Sequence, residues 1–170
     1  SAGNELKLLD RRGNIRIKVK ERINFSGESI YFYKSLFTTT NKKGDLVQIN
    51  TKGNVSRQTL GLDRKHDITS SSKTLVTRSD NQLSIKSNTL NLEYGNYSAP
   101  QLFYLRDKIY ITITDLQAQK VWLFDSQAKP FTNMPVFGSS AIDLANADAD
   151  YALEFVTKSD SNSLLLYQLY

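Results

Sequence analysis

Cysteine is absent from the 170 residues. The fold therefore has no disulfide and no thiolate metal site, and the redox compartment leaves no mark on the sequence. Long apolar runs are also lacking: no stretch approaches the roughly 20 residues that a membrane-spanning helix requires. No window keeps the i, i+3, i+4, i+7 apolar spacing over three turns, so almost no helix is expected. Proline is limited to three residues and histidine to one, His66. A lone imidazole without further nitrogen or sulfur ligands does not make a zinc site. Its neighbours Asp63, Asp67 and Ser70 to Ser72 do not make it a catalytic base either, because strand geometry sends adjacent side chains to opposite faces. No Gly-rich phosphate loop or paired-carboxylate motif stands out.

What is present favours strands. Hydrophobic residues make up 39% of the chain, with nine Tyr, eight Phe and many Val, Ile and Thr. That composition is globular and suits pleated, half-buried surfaces. The net charge is +5, and much of it lies early, at Lys7, Arg11, Arg12, Arg16, Lys18, Lys20 and Arg22. Arg16, Lys18 and Lys20 alternate with Ile15, Ile17 and Val19, so one strand face is basic and the other apolar. A solvated outer strand that resists edge pairing explains this pattern. A nucleic-acid stripe would interleave aromatic side chains for base stacking; none occurs here, which argues against that partner and leaves a polyanion surface as the alternative.

One phrase recurs. Val47 to Leu60 reads as two short strands around a turn at Gly53-Asn54, where positive φ is tolerated. Leu8 to Asn14 matches Gln48 to Asn54 almost residue for residue. Ser84 to Asn88 is a shortened copy, Leu123 to Lys129 a copy without the glycine, and Leu164 to Tyr167 the strand alone. The markers Leu9, Ile49, Ile85, Phe124 and Leu166 are spaced about 36 to 42 residues apart, near the repeat length of a propeller blade with four strands. The expected fold is all-β: a β-propeller-like stack of about four four-stranded antiparallel blades, an incomplete C-terminal part of a larger propeller. The single module would divide at 1–27, 28–65, 66–97, 98–138 and 139–170.

Within that frame the pattern predicts strands at Leu36–Thr40, Asp45–Asn50 and Val55–Leu60, with a hairpin turn at Asn41 to Gly44. Further strands are expected at Thr89–Tyr94, Gln101–Leu105, Lys108–Asp115, Lys120–Asp125, Phe131–Met134 and Leu164–Leu169, with a hairpin at Ser159 to Asn162. Leu102, Tyr104, Ile109, Ile111, Ile113, Val121 and Leu123 should fill the spaces between blades. Trp122 and the Tyr31-Phe32-Tyr33 run are read as packing rather than ligand platforms.

At Leu8-Leu9-Asp10-Arg11-Arg12-Gly13-Asn14-Ile15-Arg16-Ile17-Lys18-Val19-Lys20-Glu21 the chain resembles the C-terminal region of a family of long, uncharacterised Bacteroidetes proteins. That region looks like a propeller of the PQQ-like or FG-GAP-like kind. The resemblance extends through the Thr38 to Asn54 blade to the Tyr151 to Tyr170 ending. It implies a propeller tail in the cell envelope (periplasmic or outer-membrane associated) and no particular activity. Ser1-Ala2-Gly3 reads as a cloning remnant, so the natural N-terminus and any targeting signal are expected elsewhere.

The sharpest candidate site is Asp143, Asn146, Asp148 and Asp150. Alternating oxygen side chains in a loop can wrap calcium, which takes 6 to 8 oxygens. The loop looks like an FG-GAP calcium loop with alanine at 147 and 149 where glycine would ease the turn. Asn146 and Asp148 serve equally well as local turn caps. No catalytic residue and no other cofactor is expected. The reading is a non-catalytic binding or scaffolding module that displays loops to a protein or glycan partner. Two alternatives stand beside it. One is a carbohydrate-active domain using Asp67 and Asp143 near the propeller axis. The other is nucleic-acid or polyanion binding through the basic N-terminal stripe. Open blade edges could also pair two copies.

Overall fold

The computed structural model describes residues 5–19, 21–27, 29–148, 150–160 and 162–170. Ser1-Ala2-Gly3, Lys20, Ala149 and Ser161, which figure in the sequence expectations, lie outside them. The described residues form strands and turns and no helix. None therefore supplies a helix long and apolar enough to cross a membrane. The chain divides into two compact units, Ser1–Leu75 and Val76–Tyr170.

In the first unit β1 (Lys7–Leu9) pairs antiparallel with β2 (Ile15–Lys18). Then β3 (Tyr31–Tyr33), β4 (Leu36–Thr40), β5 (Asp45–Ile49) and β6 (Val55–Thr59) form a four-stranded antiparallel meander. β7 (His66–Ser70) follows. β8 (Leu75–Ser79, all but its first residue in the second unit), β9 (Gln82–Ile85) and β10 (Asn88–Asn91) pair in order. β11 (Gln101–Leu105), β12 (Lys108–Asp115), β13 (Lys120–Phe124) and β14 (Val136–Phe137) make a four-stranded antiparallel sheet. β15 (Asp143–Ala145), β16 (Leu153–Lys158) and β17 (Leu164–Leu169) make a sheet of three. The repeat markers Leu9, Ile49, Ile85, Phe124 and Leu166 fall on β1, β5, β9, β13 and β17, that is, on every fourth strand.

The recurring phrase is a turn with one chemical solution. At Asp10 the carboxylate Oδ1 accepts the backbone N–H groups of Arg12 and Asn14, at 2.8 and 2.9 Å. Asn50 Oδ1 does the same for Lys52 and Asn54, Asn41 Oδ1 for Lys43 and Asp45, and Asp125 Oδ1 for Gln127 and Lys129. Each first residue also exchanges backbone bonds with the fourth and fifth, as in Gly13 N–H to Asp10 O and Asp10 N–H to Asn14 O. These side chains satisfy donors that a tight hairpin otherwise leaves to water. Hydrogen bonds, first among them that from the Asn14 backbone, hold the Asp10 carboxyl below its ordinary range. The fourth position is left-handed throughout, with φ near +80° at Gly13, Gly44 and Gly53 and +65° at Ala128. Ala128 therefore carries a backbone strain of roughly 1–2 kcal/mol that glycine would avoid.

The sheets of the second unit pack face to face. On β13, Trp122 and Phe124 join Val76, Leu83, Ile85, Ile111 and Ile113 on one side. On the other, Val121 and Leu123 join Ile142, Leu144, Leu153 and Phe155. The β11–β14 sheet is thus buried on both faces, as period-2 alternation demands when a sheet lies between two others. Tyr110 stacks on Phe131 and Phe155 on Tyr167. In the first unit Val47 and Ile49 of β5 pack with Val19 and Ile23, flanked by Phe37 and Val55.

Several expectations are corrected. Phe131–Met134 is not a strand: Phe131 donates one backbone bond to Leu123, and regular pairing resumes only at Val136–Phe137. Asn133 takes φ +62° there, and Pro130 and Pro135 flank the segment without an N–H to offer. β10 stops at Asn91 instead of running to Tyr94. Tyr104 does not fill the core. It is 61% exposed, beside the turn at Arg106-Asp107, with its hydroxyl donating to Asp107 Oδ1 at 2.7 Å. Ile15 stands 56% exposed, so the apolar face of β2 is closed only toward Val19.

The turn chemistry predicts unequal costs for two similar changes. A Cβ at Gly13 meets nothing within 4 Å, so Gly13→Ala should cost only the left-handed strain, about 1–2 kcal/mol. A Cβ at Gly44 would collide with the Leu62 carbonyl, so Gly44→Ala should lower the urea midpoint clearly further.

Candidate functional site

Two places on the second unit carry chemistry. The first is the loop between β15 and β16. It brings Asp148 and Asp150 together with Glu154 of β16, their carboxylate oxygens all within 4.8 Å of one another. Glu154 arrives there through register: it pairs across the hairpin with Ala145, so its side chain reaches back toward the loop. It is buried, accepting the Ala147 N–H on Oε2 at 2.8 Å, while Gln168 Nε2 donates to Glu154 Oε1 at 3.4 Å and to Asp150 Oδ2 at 3.3 Å. Asn146 clasps the loop, its amide nitrogen donating to the carbonyls of Asp150 and Ala152. Asp150 and Asp148 each also cap a turn N–H, those of Ala152 and Asp150. Asp143 stays on β15, accepting the Leu144 N–H, and does not join the three carboxylates. The Arg106 guanidinium donates to the carbonyls of Tyr151 and Asp150 at 2.6 Å each, placing a positive charge beside the loop. Of the four expected ligands, two converge, one organises the turn and one stands apart. Glu154 was missed, although a carboxylate inside an apolar strand directly across a hairpin was a readable sign.

The second place is a cleft of about 300 Å³. Its floor is apolar: Leu90 and Leu92, Trp122 and Phe124 of β13, and Pro130. The Trp122 and Phe124 rings lie nearly parallel, 6.0 Å apart and inclined by 10°. Residues two apart on a strand share a face, which lets the two rings stack. Phe124 is buried, whereas Trp122 keeps part of its ring accessible. Asn91, Glu93, Tyr97, Asp115 and Lys120 supply the polar part of the lining. Lys120 Nζ lies 3.8 Å from the Glu93 carboxylate, with the two side chains 47% and 83% exposed. The Tyr97 hydroxyl donates to the Glu93 carbonyl at 3.0 Å. Asp115 is buried and caps the β12–β13 turn through the N–H groups of Gln117 and Ala118. Burial first, then the Asp115 and Glu93 charges, push the Tyr97 phenol above its ordinary value. Trp122 packs against the core, as expected, and also forms cleft floor.

The other singled-out residues are held structurally. His66 Nδ1 lies 2.6 Å from the Asp63 carbonyl and Nε2 2.8 Å from Thr40 Oγ1, which fixes both ring nitrogens. Tyr31 and Tyr33 share a half-buried face, with the Lys34 ammonium over the Tyr33 ring. In the basic stripe Lys18 pairs with Glu5 at 3.1 Å, while Arg11, Arg12 and Arg16 border an open hollow with Leu9 and Asp10. Asp67 lies on β7 and Asp143 on β15.

Compared with known proteins, the chain matches no protein-family model and no curated protein.

Tyr97 and Tyr110 both have phenols raised by burial. A raised phenol leaves stability unchanged below the unfolded value near pH 10, then removes it as the unfolded chain ionises first. Urea midpoints should therefore hold from pH 8 to about 10 and fall above it. Tyr97→Phe should cost about 1 kcal/mol at neutral pH through the lost hydrogen bond, and should make the alkaline fall shallower.

Proposed function

We propose that this chain is a β-propeller module, the C-terminal blades of a larger cell-envelope protein, acting as a non-catalytic binding or scaffolding surface. The propeller reading is supported by the four-strand repeat, the antiparallel meanders and the burial of the β11–β14 sheet on both faces. The envelope reading rests on the resemblance carried by Leu8 to Glu21. The observation that carries binding is the cleft, where the accessible ring of Trp122 lies beside polar groups already engaged in structure. Asp115 caps a turn, Glu93 pairs with Lys120 and the Tyr97 hydroxyl serves a carbonyl. None stands aligned with a nucleophile, which suits recognition rather than turnover. The rigid stack would hold this surface and its loops for a partner. The edge of β17, with Leu164 and Leu166 about 70% exposed, is where a second copy would add a strand.

The test uses immobilised chain and solubilised envelope material. Bound material should fall at least about tenfold in Trp122→Ala, the loss usual for a buried aromatic anchor. Equal retention by a folded variant would remove the cleft from the function.

The acidic loop favours a second, compatible reading. We propose that Asp148, Asp150 and Glu154 hold a calcium ion that ties the β15–β16 hairpin to β17 through Gln168. Three carboxylates within 4.8 Å supply hard oxygen ligands and repel one another without a cation. Calcium at millimolar concentration should raise the thermal midpoint by several degrees, and Glu154→Gln should abolish the rise; an equal rise in both would refute the site.

A further inference from the structure

We infer that the Trp122 cleft binds a neutral sugar ring of a glycan, with the ring's C–H face on Trp122 and its hydroxyls on the Lys120–Glu93 side. The inference rests on the binding reading above and names its ligand class.

The argument runs from the two halves of the cleft. The apolar lining includes the stacked pair Trp122 and Phe124, of which Phe124 is buried and Trp122 half-buried, so Trp122 supplies the aromatic surface. Such a surface favours a ligand with one flat apolar face. The lining also carries both signs of charge. Lys120 brings an ammonium, Glu93 a carboxylate 3.8 Å away, and Asp115 a second carboxylate that is 4% exposed. A purely apolar ligand would strip water from the exposed Lys120–Glu93 pair and give nothing in return, which is costly. A charged ligand would meet a group of its own sign whichever charge it bore. A neutral polyol avoids both problems, because each hydroxyl donates one hydrogen bond and accepts others. It can accept from Lys120 and donate to Glu93 together.

The Lys120–Glu93 pair is well suited to this exchange. It is exposed and 3.8 Å long, so its two groups can turn to ligand hydroxyls at little cost. The Asn91 amide adds a donor and an acceptor to the lining. Size agrees as well. About 300 Å³ is at the small end of ligand cavities, enough for a ring or two and too little for a folded peptide segment. A pyranose has the required shape: apolar C–H groups on one face and hydroxyls around its edge.

The chain contains one tryptophan, and it is Trp122. Its emission therefore reports on this cleft alone. The experiment titrates the whole chain with glucose and N-acetylglucosamine oligomers of two to six units, in parallel with a Trp-containing neutral-capped peptide detected by calorimetry. A saturable change in Trp122 emission with a sugar, weakened at least fivefold in both Glu93→Gln and Lys120→Ala, is expected. These two side chains are exposed, so the variants keep the fold, which circular dichroism checks. Emission unmoved by every sugar, with the peptide bound, would overturn the ligand class and leave the binding reading intact. Failure of sugars, peptide and envelope material alike would overturn both. Sugar binding unaffected by the two variants would place the sugar elsewhere and also refute the inference.

Discussion

The structure depends on how its hairpins dispose of their backbone donors. A tight turn leaves two or three N–H groups with no strand to bond, and water satisfies them only at the surface. Here an Asp or Asn at the first position accepts two of them at once, at Asp10, Asn41, Asn50 and Asp125. The left-handed fourth residue then closes the loop with a bond back to the first. This geometry fixes which residue faces which across the hairpin. A slip of one residue would send every side chain to the opposite face. The turns therefore decide what the sheets can bury. Where the loop shortens to two residues, as at Lys34-Ser35 and Arg106-Asp107, both residues take positive φ and a primed turn matches the twist of the strands.

Register in turn sets the packing. β13 exposes Trp122 and Phe124 to one neighbour sheet and Val121 and Leu123 to the other. Few strands in an antiparallel protein are apolar on both faces, because one usually meets solvent. That Val121, Leu123, Ile111 and Ile113 are all essentially buried requires a sheet on each side. Threonine completes the arrangement on β12. Thr112 and Thr114 occupy the face of Tyr110, and Thr114 Oγ1 donates to the Ser140 carbonyl at 2.9 Å, a polar link in the packing between adjacent sheets.

Much of this was readable from residues. The repeat and its turns were visible because Asp/Asn at the first position and Gly at the fourth are chemical necessities of the loop. Ala128 fits the pattern only by accepting strain. The strands bounded by turn residues, such as Leu36–Thr40, Gln101–Leu105 and Leu164–Leu169, are legible to the residue. The segment after Asp125 misled, since Phe131–Met134 has strand-like composition but lies between prolines. Tyr104 misled for a different reason. Alternation shows that it shares a face with Leu102, but not that its ring ends at a turn where Asp107 offers a better partner than the core.

The chemistry was less legible than the fold, because both sites are made by register across segments. Glu154 meets Asp148 and Asp150 only because Ala145 lies opposite it, a fact that belongs to the pairing and not to the loop. The cleft is assembled from the end of β10, the residues after it, Asp115 and β13, which lie about 30 residues apart in sequence. Trp122 illustrates the difficulty: its alternation with Val121 and Leu123 correctly implied packing, and packing does not conflict with recognition. A ring held on one face by the core is pre-ordered, so a ligand that covers the other face loses little additional side-chain freedom. The two-sided sheet that fixes Trp122 would therefore also hold it ready for the proposed ligand.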